Sequence, residues 1–309
     1  MTLREPGGES NNHAPRYHRD PKRIAISTLI LAAILGFAVW CVWMVLGVVF
    51  DWLSGPEQYS GVLAAQSQAG ETVNAPTAPP LDYTSFDPGN IISDEEFYDP
   101  DTMTEAEIAD FIAEWNDGCQ MGSDGTVCLA DYTEDTASIK ADEYCTGYEG
   151  QAGDSAASII YKSANACGIN PQVLITLMQR EQSLVTASGA SLTEDRYLIA
   201  MGFGCPDTDN CDTTYYGFAN QVYYAARQFQ IYRKTPEEFD IVAGQENYIQ
   251  YGPGCSGSWV RVENQATASL YNYTPYQPDF MAYAGGEDVC STPGNLNFYA
   301  FYEAWFGDS

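Results

Sequence analysis

The chain has 309 residues, a net charge of -29, nine cysteines and two histidines. So acidic a protein is a poor partner for nucleic acid, whose phosphates demand lysine and arginine. Both histidines, His13 and His18, fall in the first 23 residues. Beyond them, a serine or cysteine nucleophile with a histidine base is excluded, as is a histidine-built zinc site. Carboxylate, tyrosine and serine remain for catalysis.

Residues 1–23 carry Arg4, Arg16, Arg19, Lys22 and Arg23 and read as a cytoplasmic tail. Residues 24–50 are 27 residues without a charge, longer than the roughly 20 that cross a bilayer. They predict a transmembrane helix, and the basic flank predicts a cytoplasmic N-terminus and an extracytoplasmic C-terminal domain. The expected location is therefore a single-pass cell-membrane protein. Residues 51–90 are rich in Gln, Ala, Pro, Ser and Thr and predict a flexible linker.

Residues 91–150 read as an N-terminal extension with one short helix and a disulfide loop. Thr104 and Glu107 form a capping-box pattern. Ile108, Phe111, Ile112 and Trp115 follow at helical spacing. The main domain, 151–309, opens with a helix over about 155–166. Gly168 suits the left-handed turn that ends it. Asn170 and Pro171 then form a start signal. In "NPQVLITLMQREQSLV", Leu174, Leu177, Met178 and Val185 recur on one helical face, and Glu181 falls inside that stripe. A carboxylate on an apolar face loses hydration and is held protonated, as a general acid requires. The structural alternative is a glutamate at the stripe's edge, or one paired with Arg180 or Lys162.

A Gly-, Asp- and Cys-rich loop leads to a helix over about 218–232, with Phe218, Val222, Ala225, Phe229 and Tyr232 inward. Residues 240–261 predict loop or a small sheet. "ENQATASLYNY" predicts a helix to about Leu270. The chain closes on an apolar face of Phe298, Phe301, Tyr302 and Trp305. The whole reads as mainly α.

Cys41 lies in the apolar run, leaving eight cysteines in the exported portion, an even number that predicts four disulfides. The short loops favour 119–128 and 205–211, with 145–167 and 255–290 by remainder. "DTDNCD", 207–212, departs from the calcium-loop pattern and reads as an acidic disulfide loop. No metal and no cofactor is expected.

Three pieces follow in order: "MQREQS", "YYGFANQVYYAARQF" and "ASLYNYTPY". Together they resemble the lysozyme-like soluble lytic transglycosylases. The stretch 91–309 is also similar to exported actinobacterial proteins labelled hemagglutinin-like. It shares their "NPQVL", "GCPDT", "YYGF", "NQATA", "YTPYQP" and terminal "WFG" pieces. The first resemblance implies a lysozyme-like domain over 151–309 with disulfide-stapled loops, and peptidoglycan glycan strands as substrate. It implies Glu181 as the catalytic acid and base. It also implies Gly217, Gln221, Tyr271 and Asn272 as substrate-binding residues, with Gly202-Phe203-Gly204 competing for the middle motif; Tyr216 joins them because a flat aromatic face suits a sugar ring, with core packing as the alternative. A lytic transglycosylase needs one carboxylate. A muramidase of the inverting type needs a second, for which Asp207, Asp209 and Asp212 are candidates. The alternatives are a non-catalytic cell-wall glycan-binding or adhesion module on the same fold, and a membrane-anchored scaffold.

Overall fold

The computed structural model describes residues 75–206, 210–286 and 288–307. The first helix among the described residues, α1 (Asp94–Phe97), starts at a reciprocal capping box between Ser93 and Glu96. Helix α2 (Glu105–Trp115) starts at the Thr104–Glu107 box that its sequence predicts. A short antiparallel pair, β1 (Thr133–Glu134) with β2 (Asp154–Ser155), leads into α3 (Ala156–Cys167). Gly168, at φ 63°, turns the chain into α4 (Pro171–Gln182), whose N-cap Asn170 accepts the Gln172 N–H. Then come α5 (Glu194–Leu198), α6 (Phe218–Lys234) and the antiparallel ribbon β3 (Gln245–Gln250) with β4 (Gly257–Val262). Three helices complete the chain: α7 (Gln265–Tyr273), α8 (Phe280–Tyr283) and α9 (Leu296–Phe306).

Helix α4 lies at the centre of the core, between α3 and α9. Every residue from Val173 to Gln179 is buried, as expected of a helix apolar on nearly all sides. Helix α6 packs on α3 through the predicted inward face, with Val222, Ala225 and Phe229 fully buried. Helix α2 lays Ile108 and Ile112 on this core, and its Phe111 and Trp115 rings meet Trp305 of α9 at 5.4 and 5.6 Å. Residues 90–98 are tied to the start of α7. Ile91 N–H donates to Thr267 Oγ1, and Ala266 N–H to Asp94 Oδ1.

The expected mainly-α lysozyme-like architecture with a preceding membrane helix is corrected here. The described residues combine helices with two small antiparallel sheets. Asn247, Ile249, Val260 and Val262 alternate inward with Tyr248, Trp259 and Arg261 outward, so residues 245–262 follow the two-residue period of strands. Among the described residues no helix is long and apolar enough to cross a membrane. The predicted span, 24–50, lies outside them. The single-pass membrane location is corrected with it: what the described residues give is disulfides, which suggest an extracellular protein.

All four expected pairs form: 119–128, 145–167, 205–211 and 255–290. The last closes the longest loop, with a sequence separation of 35. Chain-entropy cost grows with loop length, so replacing Cys255 and Cys290 together by serine is expected to cost about 4 kcal/mol. Urea unfolding under non-reducing conditions checks this; an unchanged midpoint contradicts it.

Candidate functional site

Helix α4 is buried from Val173 to Gln179, and Arg180, Glu181 and Gln182 of its last turn reach the surface. Ser183 ends the helix in the left-handed region at φ 52°, the one non-glycine residue there among those described. A carboxylate in the last turn opposes the helix dipole, whose C-terminal end is negative. Two arginines offset this. Arg196 of α5 donates to the Gln182 carbonyl, and Arg180 pairs with Glu181 itself. Glu181 is therefore not buried in an apolar stripe. It stands half-buried at the open end of the helix, and Val185 lies beyond that end.

Arg180 is also a cross-brace. Its Nη1 donates to Thr274 Oγ1 at 2.7 Å and its Nε to the Gly294 carbonyl at 3.2 Å. It thus joins the end of α4 to the turns that follow α7 and precede α9.

Glu181 opens into a cavity of about 690 Å³, lined also by Arg180, Gly202, Cys205, Pro206, Pro253, Asn272, Tyr273, Thr274, Pro275, Tyr276 and Thr292. Two smaller cavities share its walls. One of about 340 Å³ shares Gly202, Cys205, Pro206 and Tyr273 and reaches Gln228 and Tyr232. Another of about 200 Å³ shares Arg180, Thr274, Tyr276 and Thr292 and reaches Asn297. The three form a groove with Glu181 in its central section.

The 201–204 turn forms the wall nearest the carboxylate. Gly202 has φ 67°, and a Cβ there would sit 2.8 Å from Glu181 Oε2. Only glycine meets both demands. Gln221 of α6 fixes the turn. Its Oε1 accepts the N–H groups of Met201 and Phe203, and its Nε2 donates to the carbonyls of Phe203 and Tyr215. Tyr273 closes the turn from the other side, donating to the Met201 carbonyl at 2.7 Å and stacking on Phe229. Burial, and then the negative charge of Glu181, push the Tyr273 hydroxyl well above its usual pKa, so it stays a donor.

Of the residues singled out by sequence, Glu181 and Asn272 line one cavity. The Asn272 amide is occupied with the main chain of Ile241, accepting its N–H and donating to its carbonyl. Tyr271 is fully buried in the core. Gln221 is also fully buried and braces the turn. Gly217 is the N-cap of α6, and the carbonyl of Tyr216 accepts the Asn220 amide. None of Tyr216, Gly217, Gln221 and Tyr271 lines the three cavities. Asp212 is exposed and accepts the Thr214 N–H; Asp207 and Asp209 lie outside the described residues. Sequence reasoning missed Arg180, Tyr273, Thr274 and Tyr276 as wall residues. It held Gly202 only as a competitor.

Replacing Gln221 by leucine keeps most of its volume but strands two N–H groups and two carbonyls. The expected cost is about 1–3 kcal/mol, together with loss of order in the 201–204 turn. Thermal unfolding and amide exchange at Met201 and Phe203 check it. Native-like protection of those amides contradicts it.

A family model described as LasA, N-terminal domain, matches residues 90–309. No curated protein and no solved structure matches. The family match overturns the resemblance drawn from short motifs. The lysozyme-like transglycosylase and hemagglutinin-like assignments are both replaced by it; the three transglycosylase pieces cover a few residues each, where the family model covers residues 90–309.

Proposed function

This chain belongs to the LasA N-terminal domain family, which suggests an extracellular protein acting on the cell wall, and from that premise we propose that it cleaves peptidoglycan glycan strands with Glu181 as its one general acid and base. The observation that carries the reading is the groove. Glu181 is the only carboxylate among the described residues lining its three sections. Those sections extend to both sides of Glu181, as a polymeric ligand needs. Flat tyrosine faces at Tyr273 and Tyr276 suit sugar rings.

In the proposed reaction a protonated Glu181 donates to the glycosidic oxygen as its bond to the sugar carbon breaks. The bonding pair leaves with that oxygen. An oxocarbenium-like centre develops. The sugar's own 6-hydroxyl then adds to that carbon and returns its proton to Glu181. One carboxylate serves both halves, and the product carries an anhydro end.

A second reading, glycan binding without cleavage, is favoured by one observation: the Asn272 amide is already committed to Ile241. Incubating the full chain with purified cell walls separates the two. Soluble fragments lighter by one water than hydrolysis products support the enzyme. Retention on walls without release supports the binder. Neither release nor retention sinks both.

A further inference from the structure

Among the described residues lining the groove's three sections, Arg180 alone carries positive charge. It lines both the central section and the one that reaches Asn297, and its side chain is 15% exposed. The observed bonds place it between Glu181, Thr274 Oγ1 and the Gly294 carbonyl. Two of these partners are neutral and hold the guanidinium in place. The third is the carboxylate on which the proposed reaction depends. A guanidinium has five N–H donors in a fork that matches a carboxylate. A second carboxylate entering the groove beside Glu181 would meet this fork without displacing the two neutral partners.

Resting on the glycan-cleaving reading, we propose that Arg180 is a specificity-determining residue that recognises a carboxylate on the glycan. The ligand carboxylate takes over the guanidinium from Glu181. The sugar chemistry that supplies such a group is the lactyl ether of N-acetylmuramic acid with its carboxylate free. The preferred substrate is then a strand from which stem peptides have already been removed, and the reaction that supplies it is amide hydrolysis at the lactyl group. The exchange also gives the pairing a purpose. Glu181 shares the neighbouring arginine while the groove is empty and yields it when a carboxylate-bearing ligand arrives. A neutral glycan leaves the pair intact.

The test uses two tetrasaccharides, one of N-acetylglucosamine alone and one alternating N-acetylglucosamine with peptide-free N-acetylmuramic acid. Titration calorimetry with the full chain is expected to show the carboxylate-bearing probe bound ten- to a hundredfold more tightly, the range of a charge-assisted contact. The Arg180→Gln variant is expected to bind both alike. Arg180 also braces two turns, so Arg180→Lys is run beside it. It keeps the charge without the fork and is expected to retain a reduced preference. Equal affinity of the parent for both probes overturns the inference while leaving glycan cleavage standing. A preference that survives in Arg180→Gln overturns it too. Failure of both probes to bind overturns this inference together with the reading it rests on.

Discussion

Replacing Glu181 by glutamine is expected to slow fragment release from purified walls by about 10²- to 10⁴-fold, the usual contribution of a positioned acid–base group. The variant suits the question because the amide keeps the shape of the carboxylate. It can still accept from Arg180, and it still fits under Gly202, whose missing Cβ leaves the room for it. The fold should therefore survive, and an unchanged melting temperature separates lost chemistry from lost structure. What glutamine cannot do is release a proton to the leaving oxygen. Release within twofold of the parent would remove Glu181 from the mechanism.

The largest stability effect is expected at Asp154, which lies outside the groove. It is fully buried where β2 feeds α3. Lys162 reaches it at 2.8 Å, Tyr148 donates at 2.6 Å, and Thr136 and Gln151 bond it as well. Removing one partner of a buried, hydrogen-bonded ion pair strands the others. Asp154→Ala is expected to cost about 3–5 kcal/mol. Urea unfolding measures it, and a loss below 1 kcal/mol would show that water replaces the carboxylate. The pH dependence has a definite sign. Burial by itself raises the Asp154 pKa, but the bonds from Lys162, Tyr148, Ser158 and Thr136 outweigh it and hold it below the ordinary 3.8. A folded value below the unfolded one contributes stability that is complete above the unfolded value. That contribution is lost as pH falls through the folded value. The parent should lose this part of its stability in acid, and the alanine variant should not.

Local signals in the sequence were accurate where chemistry is local. The capping box at Thr104, the Gly168 turn and the Asn170–Pro171 start each fix a helix end through bonds spanning a few residues. The disulfide pairs 119–128 and 205–211 are legible because short polar loops leave few partners within reach, and 145–167 and 255–290 follow by remainder. The groove was less so. Helix α4 is buried on nearly all sides, so its apolar pattern has no polar face against which to locate Glu181; only the helix end at Gln182 shows that the carboxylate emerges. Helix α7 runs to Tyr273 instead of stopping near Leu270. Residues two apart lie about 200° apart around a helix, which turns Tyr271 into the core and Tyr273 toward the groove. Gly202 meets Glu181 through a contact between distant elements, and the spacing of "GFG" contains no trace of it. Short motifs can coincide in order without sharing a fold, which is how three pieces here resemble the lytic transglycosylases while the chain belongs to another family.

Cys205 is a wall of the central cavity and is bonded to Cys211. Part of the groove's rim is thus an oxidised product and does not exist in the nascent chain. A molecule still among cytosolic thiols would hold that rim as an untied loop, with Glu181 facing an unfinished wall. Completion of this wall therefore requires an oxidising compartment.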